Sequence, residues 1–130
     1  VAKGLRQHQE RLEALGLLGK VLARRATSQC ELCESGGVPL KTFEVPPVPV
    51  EPSLDHCLLL CETCLGHIGR PDSQPVPRWR CLNNTVWSEI PAVQVTAVRI
   101  LRSLEGKEAW AKELLEQVYP EPDIIAWVES

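Results

Sequence analysis

Two pairs of cysteines, each spaced Cys-x-x-Cys, are the residues of this sequence best suited to chemistry. Cys30 and Cys33 stand in "CELC", and Cys61 and Cys64 in "LCETCLGHI", with 27 residues between the pairs. A Cys-x-x-Cys turn holds two thiolates a few ångströms apart on a knuckle whose backbone N–H groups favour negative sulfur. Two such turns supply the four sulfurs that tetrahedral Zn2+ takes at about 2.3 Å each. The intervening stretch is long enough for a hairpin to fold one knuckle onto the other, so a Zn2+ site is expected at Cys30, Cys33, Cys61 and Cys64. Free buried thiols, or a single redox-active pair of thioredoxin type, are the competing readings. The redox reading lacks a βαβ context and leaves the second pair unexplained. Four thiolates fill the coordination shell and leave no position for water, so the expected site is structural and no catalytic residue is assigned.

Other polar and sulfur-bearing side chains lie close by in the sequence. Cys57 and Cys81 complete the six cysteines, and each is expected to act as a small buried hydrophobe, with a replacement zinc ligand, a reactive thiol or a mutual disulfide as the other readings. His56 and His67 are expected to be polar neighbours, because the four thiolates already complete a site. An enzyme alternative would gather Glu44, Asp55, His56 and His67 beside the knuckles, although no pair of them has the spacing of a known acid, base or second-metal site. A third reading takes Arg70, Arg78, Trp79, Arg80 and Trp87 as a basic and aromatic cluster able to stack single-stranded bases. A formal net charge of -3 argues against an extended nucleic-acid surface, which needs clustered lysine and arginine. The favoured reading has the tryptophans anchoring the connector by burial.

These residues must be positioned by elements that the hydrophobic pattern outlines. At 44% hydrophobic and 24% charged residues, the chain has the composition of a folded domain rather than a disordered segment. Residues 5 to 26 place Leu5, Leu12, Leu15, Leu18 and Leu22 at helical intervals, with Gly16 and Gly19 able to divide the helix. Arg24 and Arg25 suit a solvated helix C-terminus. "LKTFEV" and "HCLLLC" have strand character, and the prolines at 46, 47, 49 and 52 require an extended loop between them. "RPDSQPVPRWRC" is a second proline-broken connector. In the last third, Ser88 is placed to cap a helix with Pro91 in its first turn. That helix buries Val93, Ala97, Ile100, Leu101 and Leu104 and stops at Gly106. A second helix turns Trp110, Leu114, Leu115 and Val118 inward, and a third, short one carries Asp123 in its first turn.

The expected fold is therefore α+β: a small four-cysteine zinc-ribbon or treble-clef-like β-hairpin module packed with N-terminal and C-terminal α-helices. The segments are 1–28, an N-terminal helix; 29–70, the zinc-binding module; 71–87, the proline-rich connector; and 88–130, a C-terminal helical subdomain. The N-terminal stretch is charged where a signal peptide carries an uninterrupted apolar core, and no apolar run is long enough to span a bilayer. A cytoplasmic protein with no membrane segment is expected, in keeping with six cysteines used for metal rather than disulfides. The sequence has no methionine, position 1 included, so the native start is expected to be missing.

"CELC", the hairpin with "LKTFEVPP" and then "LLLCETCLGHI" resemble the knuckle, hairpin and helix order of a treble clef, which HNH-type nucleases share. The catalytic histidines of those nucleases have no counterpart here: Glu44, Val45 and Pro46 occupy the strand position, and Leu65 follows the second pair. A more specific resemblance covers residues 29 to 130. "CELC", "EVPP", "LLCETC", "WRCLNNTVWSEIPAVQV", "WAKELLEQVY" and "AWVE" are similar to the PhnA-type zinc-ribbon family, whose genetic association is with phosphonate metabolism. That resemblance implies a zinc-binding cytosolic protein with no established reaction. Separately, four sulfur ligands with no spare coordination position lead to the expectation of a non-catalytic zinc module on a helical platform that offers a surface to a protein partner.

Overall fold

The computed structural model describes residues 2–71 and 76–130; positions 72–75 of the proline-rich connector lie outside the described residues. The fold is α+β. Helix α1 (Ala2–Arg25) leads into the first cysteine knuckle, and strands β1 (Leu40–Glu44) and β2 (Cys57–Cys61) follow. Next come the short helix α2 (Glu62–His67), a 3-10 segment (Val76–Cys81) and the one-turn helix α3 (Leu82–Thr85). Helices α4 (Pro91–Leu104), α5 (Ala109–Gln117) and α6 (Pro122–Glu129) complete the chain. Among the described residues no helix is long and apolar enough to cross a membrane.

The strands form an antiparallel hairpin with Leu40 opposite Cys61, Thr42 opposite Leu59 and Glu44 opposite Cys57. Successive side chains of a strand point to opposite faces, and here both faces are covered. Cys57 and Leu59 pack with Leu22 of α1, whereas Leu58 and Leu60 enter the larger core built on α4. Burial on both sides explains why β2 reads as an uninterrupted apolar run instead of an alternating one. The hairpin is the middle layer between α1 and the C-terminal helices.

Gly16 and Gly19 do not divide α1, which runs as one 24-residue helix. It ends where Thr27 and Ser28 take positive φ angles of 52° and 58°, and the Ser28 N–H returns to the Ala23 carbonyl at 2.9 Å. Of the leucines at helical spacing, Leu22 is fully buried, Leu15 and Leu18 are half-buried, and Leu5 and Leu12 stay more than half exposed. The hairpin is short, so it covers only the C-terminal half of the stripe.

Helix α4 is the axis of the core. Val93, Ala97, Ile100, Leu101 and Leu104 are buried as their spacing predicts, and Val95, Thr96 and Val98 are buried as well. The extra burial follows from its neighbours: α4 touches β2, α3, α5 and α6, so no broad face is left to solvent. Ser88 is not its cap. Ile90 occupies that position with Pro91 first in the helix, while the Ser88 hydroxyl accepts a bond from the Ile90 N–H at 3.1 Å in the preceding turn. In α5 the buried residues are Ala111 and Leu114; Trp110 and Leu115 lie half-buried at the core's edge, and Val118 is buried just past the helix end.

Candidate metal centre

The first knuckle is held to the sheet by its own backbone and by one glutamate. Cys30 N–H bonds to Ser35 O at 3.0 Å and Glu34 N–H to Cys30 O at 2.9 Å, which closes the turn. Glu34 is at φ 65°, the left-handed turn of the chain that brings Ser35 back to Cys30. Glu31, between the cysteines, donates its N–H to Leu59 O at 2.8 Å, and its carboxylate accepts the Leu59 N–H at 2.8 Å. The knuckle thereby docks against β2 beside Cys61. The second knuckle begins at the last residue of β2: Cys61 caps α2, its sulfur accepting the Cys64 N–H at 3.4 Å.

The two knuckles place the four Sγ atoms within 4.8 Å of one another, with Cys33 and Cys61 at 3.6 Å. A tetrahedron with metal–sulfur bonds of about 2.3 Å has sulfur–sulfur edges of about 3.8 Å, so the cluster is close to the size that such an ion requires. Cys30, Cys61 and Cys64 are buried and Cys33 is half-buried. Among the described residues, this is the group of cysteine, histidine and acidic side chains with metal-ligand spacing.

Crowding sets the proton chemistry of these sulfurs. A hydrogen bond from Cys64 pulls the Cys30 thiol down to about 4, against its burial and with help from backbone groups of Cys33, Cys61 and Leu32. Cys64 is pushed up in turn, by that hydrogen bond, by burial and by the negative charge of Cys30 and Cys33. One thiolate is readily formed and its neighbours then resist ionisation, as like charges a few ångströms apart must. A divalent cation removes that conflict, since it deprotonates coordinating thiols outright. The donor set of soft sulfurs is the one that zinc and other thiophilic ions prefer over calcium or magnesium.

Arg78 reaches the same cluster from the 3-10 segment, its Nη2 lying 2.9 Å from Cys64 Sγ and 3.7 Å from Cys61 Sγ. Burial tends to lower its pKa, but the sulfurs of Cys64, Cys61 and Cys33 outweigh this and raise it. The sequence offers Arg78, Trp79 and Arg80 as part of a base-stacking cluster only as an alternative to the favoured reading of tryptophans that anchor the connector by burial, and Trp79 follows the favoured one. Trp79 is fully buried, its Nε1 bonded to Pro71 O at 2.7 Å. The Arg80 guanidinium lies over the Trp110 ring at 4.9 Å, and Trp87 is about half exposed.

The side chains named for an enzyme do not converge. Glu44 is opposite Cys57 and shares its face, toward α1, where Arg11 binds it through two nitrogens. His56, one residue before Cys57, turns to the other side and rests against Trp127 with ring centroids 4.7 Å apart. Asp55 is exposed, and His67 sits in the last turn of α2. Cys57 is buried with Leu22 and Leu59 on the far face of the sheet, and burial, then the charge of Glu44, pushes its thiol up. Cys81 is half-buried beside the core, its sulfur 3.7 Å from Arg78 O; burial first, then the charge of Cys33, pushes it up to about 11.

Sequence reasoning missed Glu31 and Arg25. Arg25, expected to be a solvated helix end, bonds both carboxylate oxygens of Glu31 at 2.7 and 3.0 Å and also Cys57 O at 2.9 Å. The available signal was a carboxylate inside the knuckle, six residues after an arginine at a helix end. The fold and the site define a small α+β protein with a four-cysteine centre of metal-binding geometry. No family model, curated protein or solved structure matches the chain.

Proposed function

We propose that this is a zinc-binding protein in which Cys30, Cys33, Cys61 and Cys64 hold one Zn2+ as a structural centre and the helices present a surface to a protein partner. The mutual distance of the four sulfurs, 4.8 Å at most, carries the reading. Four thiolates leave no open coordination position, and catalytic zinc normally keeps one. Structural zinc contributes folding free energy of about 10 kcal/mol or more in small domains, so the metal would set the stability of the hairpin.

The partner surface is best placed on α1. This helix carries six lysines and arginines against two glutamates. Arg11 and Arg25 are paired with Glu44 and Glu31, the others leave a modest basic excess, and the helix exposes Leu5, Leu12, Leu17 and Val21. A basic helix with exposed leucines suits an acidic protein with apolar recesses. The string similarities over residues 29 to 130 support placing the chain beside PhnA-type zinc-ribbon proteins and, with them, an association with phosphonate metabolism.

Elemental analysis of protein purified without added metal tests the metal reading. One zinc per chain is expected, retained by Cys57→Ala and lost from Cys61→Ser, and a strong chelator should strip it and lower the thermal unfolding midpoint sharply. Absence of zinc, or equal zinc content in Cys61→Ser and the parent, overturns it. Cobalt substitution supplies a second readout, because a four-thiolate tetrahedral ion gives intense sulfur-to-metal charge-transfer absorption.

A further inference from the structure

Arg78 is a cation placed on sulfur. Its Nη2 lies 2.9 Å from Cys64 Sγ and 3.7 Å from Cys61 Sγ, and among the described residues it forms no carboxylate ion pair. Its Nε is buried and has no hydrogen-bond partner. A half-buried guanidinium with no carboxylate loses hydration without compensation unless its neighbours are negative. Neutral thiols would not supply that compensation; thiolates would.

The local fold keeps the guanidinium where it is. Trp79, the next residue, is fully buried and tied to Pro71 O, and Leu82, one turn on, is fully buried as well. Both sit in the same core cluster as Cys30, Cys61 and Cys64. The 3-10 segment is therefore fixed by packing on the C-terminal side of Arg78, and the side chain is directed at the second knuckle rather than at solvent.

Resting on the reading that the four cysteines bind a divalent ion, we propose that Arg78 is the built-in counter-charge of the centre. Four thiolates around a divalent ion carry a net charge of −2, and one guanidinium halves it. N–H···S hydrogen bonds from a cation also draw electron density from sulfur, which lowers its nucleophilicity and its affinity for protons. Arg78 thereby protects the bound metal against electrophiles. In alkylation by iodoacetamide, the sulfur of Cys64 or Cys61 attacks the CH2 carbon, an S–C bond forms, iodide leaves, and the thioether releases its hold on the metal. Arg78 slows the attack by holding the sulfur lone pairs.

The test uses the full zinc-loaded chain as wild type, Arg78→Met and Arg78→Lys, with zinc release followed by a chromophoric chelator. Under excess iodoacetamide, Arg78→Met is expected to release zinc about tenfold faster, and its zinc affinity is expected to fall about 10- to 100-fold. The release rate should return toward wild type in Arg78→Lys, which keeps the charge. Loss of packing alone would not be restored by lysine in this way. Circular dichroism of the loaded proteins checks that the fold is retained. If Arg78→Met does not fold, the neutral but polar Arg78→Gln decides the matter: zinc release faster than wild type supports the role, and an unchanged release rate overturns it. Arg78→Met behaving like wild type with one zinc bound overturns the role of Arg78 alone. Wild type without zinc overturns the metal reading beneath it.

Discussion

Replacing Glu31 by alanine should destabilise the protein more than replacing any of its exposed carboxylates, because Glu31 does the work of a third strand. Its N–H bonds to Leu59 O at 2.8 Å and its carboxylate accepts the Leu59 N–H at 2.8 Å, while the same carboxylate binds Arg25 at the end of α1. The glutamate side chain is 5% exposed and the arginine 21%. Glu31→Ala leaves the buried Leu59 N–H without an acceptor, at a cost of about 1–3 kcal/mol. Breaking a fully buried pair costs about 3–5 kcal/mol, but Arg25 is partly hydrated and keeps its bond to Cys57 O, so the electrostatic part is smaller. A total of about 3 kcal/mol is expected for Glu31→Ala, and about 1 kcal/mol for Glu31→Gln, which retains an acceptor for Leu59. Urea unfolding of metal-saturated protein, with the Arg25→Met single and double variants completing a cycle, measures both terms. A loss below 1 kcal/mol in Glu31→Ala, or equal losses in the alanine and glutamine variants, would refute the bridging role.

Leu101→Ala, at a fully buried site on the central helix, should cost about 2–5 kcal/mol in the same unfolding assay, with metal stoichiometry unchanged. In chelator-treated protein that remains folded, stability should rise with pH on account of Cys30. Its pKa is lowered from 9.0 to about 4, so its contribution is complete above the unfolded thiol's pKa and is lost as pH falls through the folded value. The slope is at most about 1.4 kcal/mol per pH unit for one proton. Cys64, shifted upward, contributes in the opposite sense only at more alkaline pH. Denaturation midpoints that stay flat from mildly acid to mildly alkaline conditions would contradict the shared-proton arrangement.

The four ligands were legible because Cys-x-x-Cys is a local pattern: the spacing that makes each knuckle is contained in four residues, and only the pairing of knuckles is long-range. The helices were legible for a similar reason, since Val93, Ala97, Ile100, Leu101 and Leu104 repeat at the helical period. Burial that depends on neighbours was not. Val95 and Val98 are inside because α5 and α6 close over α4, and Leu5 and Leu12 are outside because the hairpin does not reach them. The partner of Arg78 was not legible: its neighbours Trp79 and Arg80 name no sulfur, and it is the burial of Trp79, expected of an anchoring tryptophan, that leaves the guanidinium against Cys64. Arg25 and Glu31 lie six residues apart, but the carbonyl and N–H that complete their network belong to Cys57 and Leu59. No local pattern announces those partners.

The cysteine centre and the main core are one structure, and this separates α1 from everything else. Cys30, Leu32, Cys61 and Cys64 share a continuous cluster with Trp79, Leu82, Val86 and the buried face of α4. A change at the sulfurs is therefore felt across the C-terminal helices. Helix α1 joins instead through a small second cluster of Leu22, Cys57 and Leu59, reinforced by Arg25 on Glu31 and by Arg11, which binds Glu44 and the carbonyls of Pro49 and Val50. Its attachment is a small apolar cluster and a few arginine contacts, apart from the main core, so it can be weakened without opening that core. Arg11→Met should then speed amide hydrogen exchange through the N-terminal half of α1 while leaving α4 protected, because opening free energies follow the local density of buried contacts. Equal acceleration in α1 and α4 would mean that the two clusters unfold as one, and that the basic, leucine-bearing helix is not separately available to a partner.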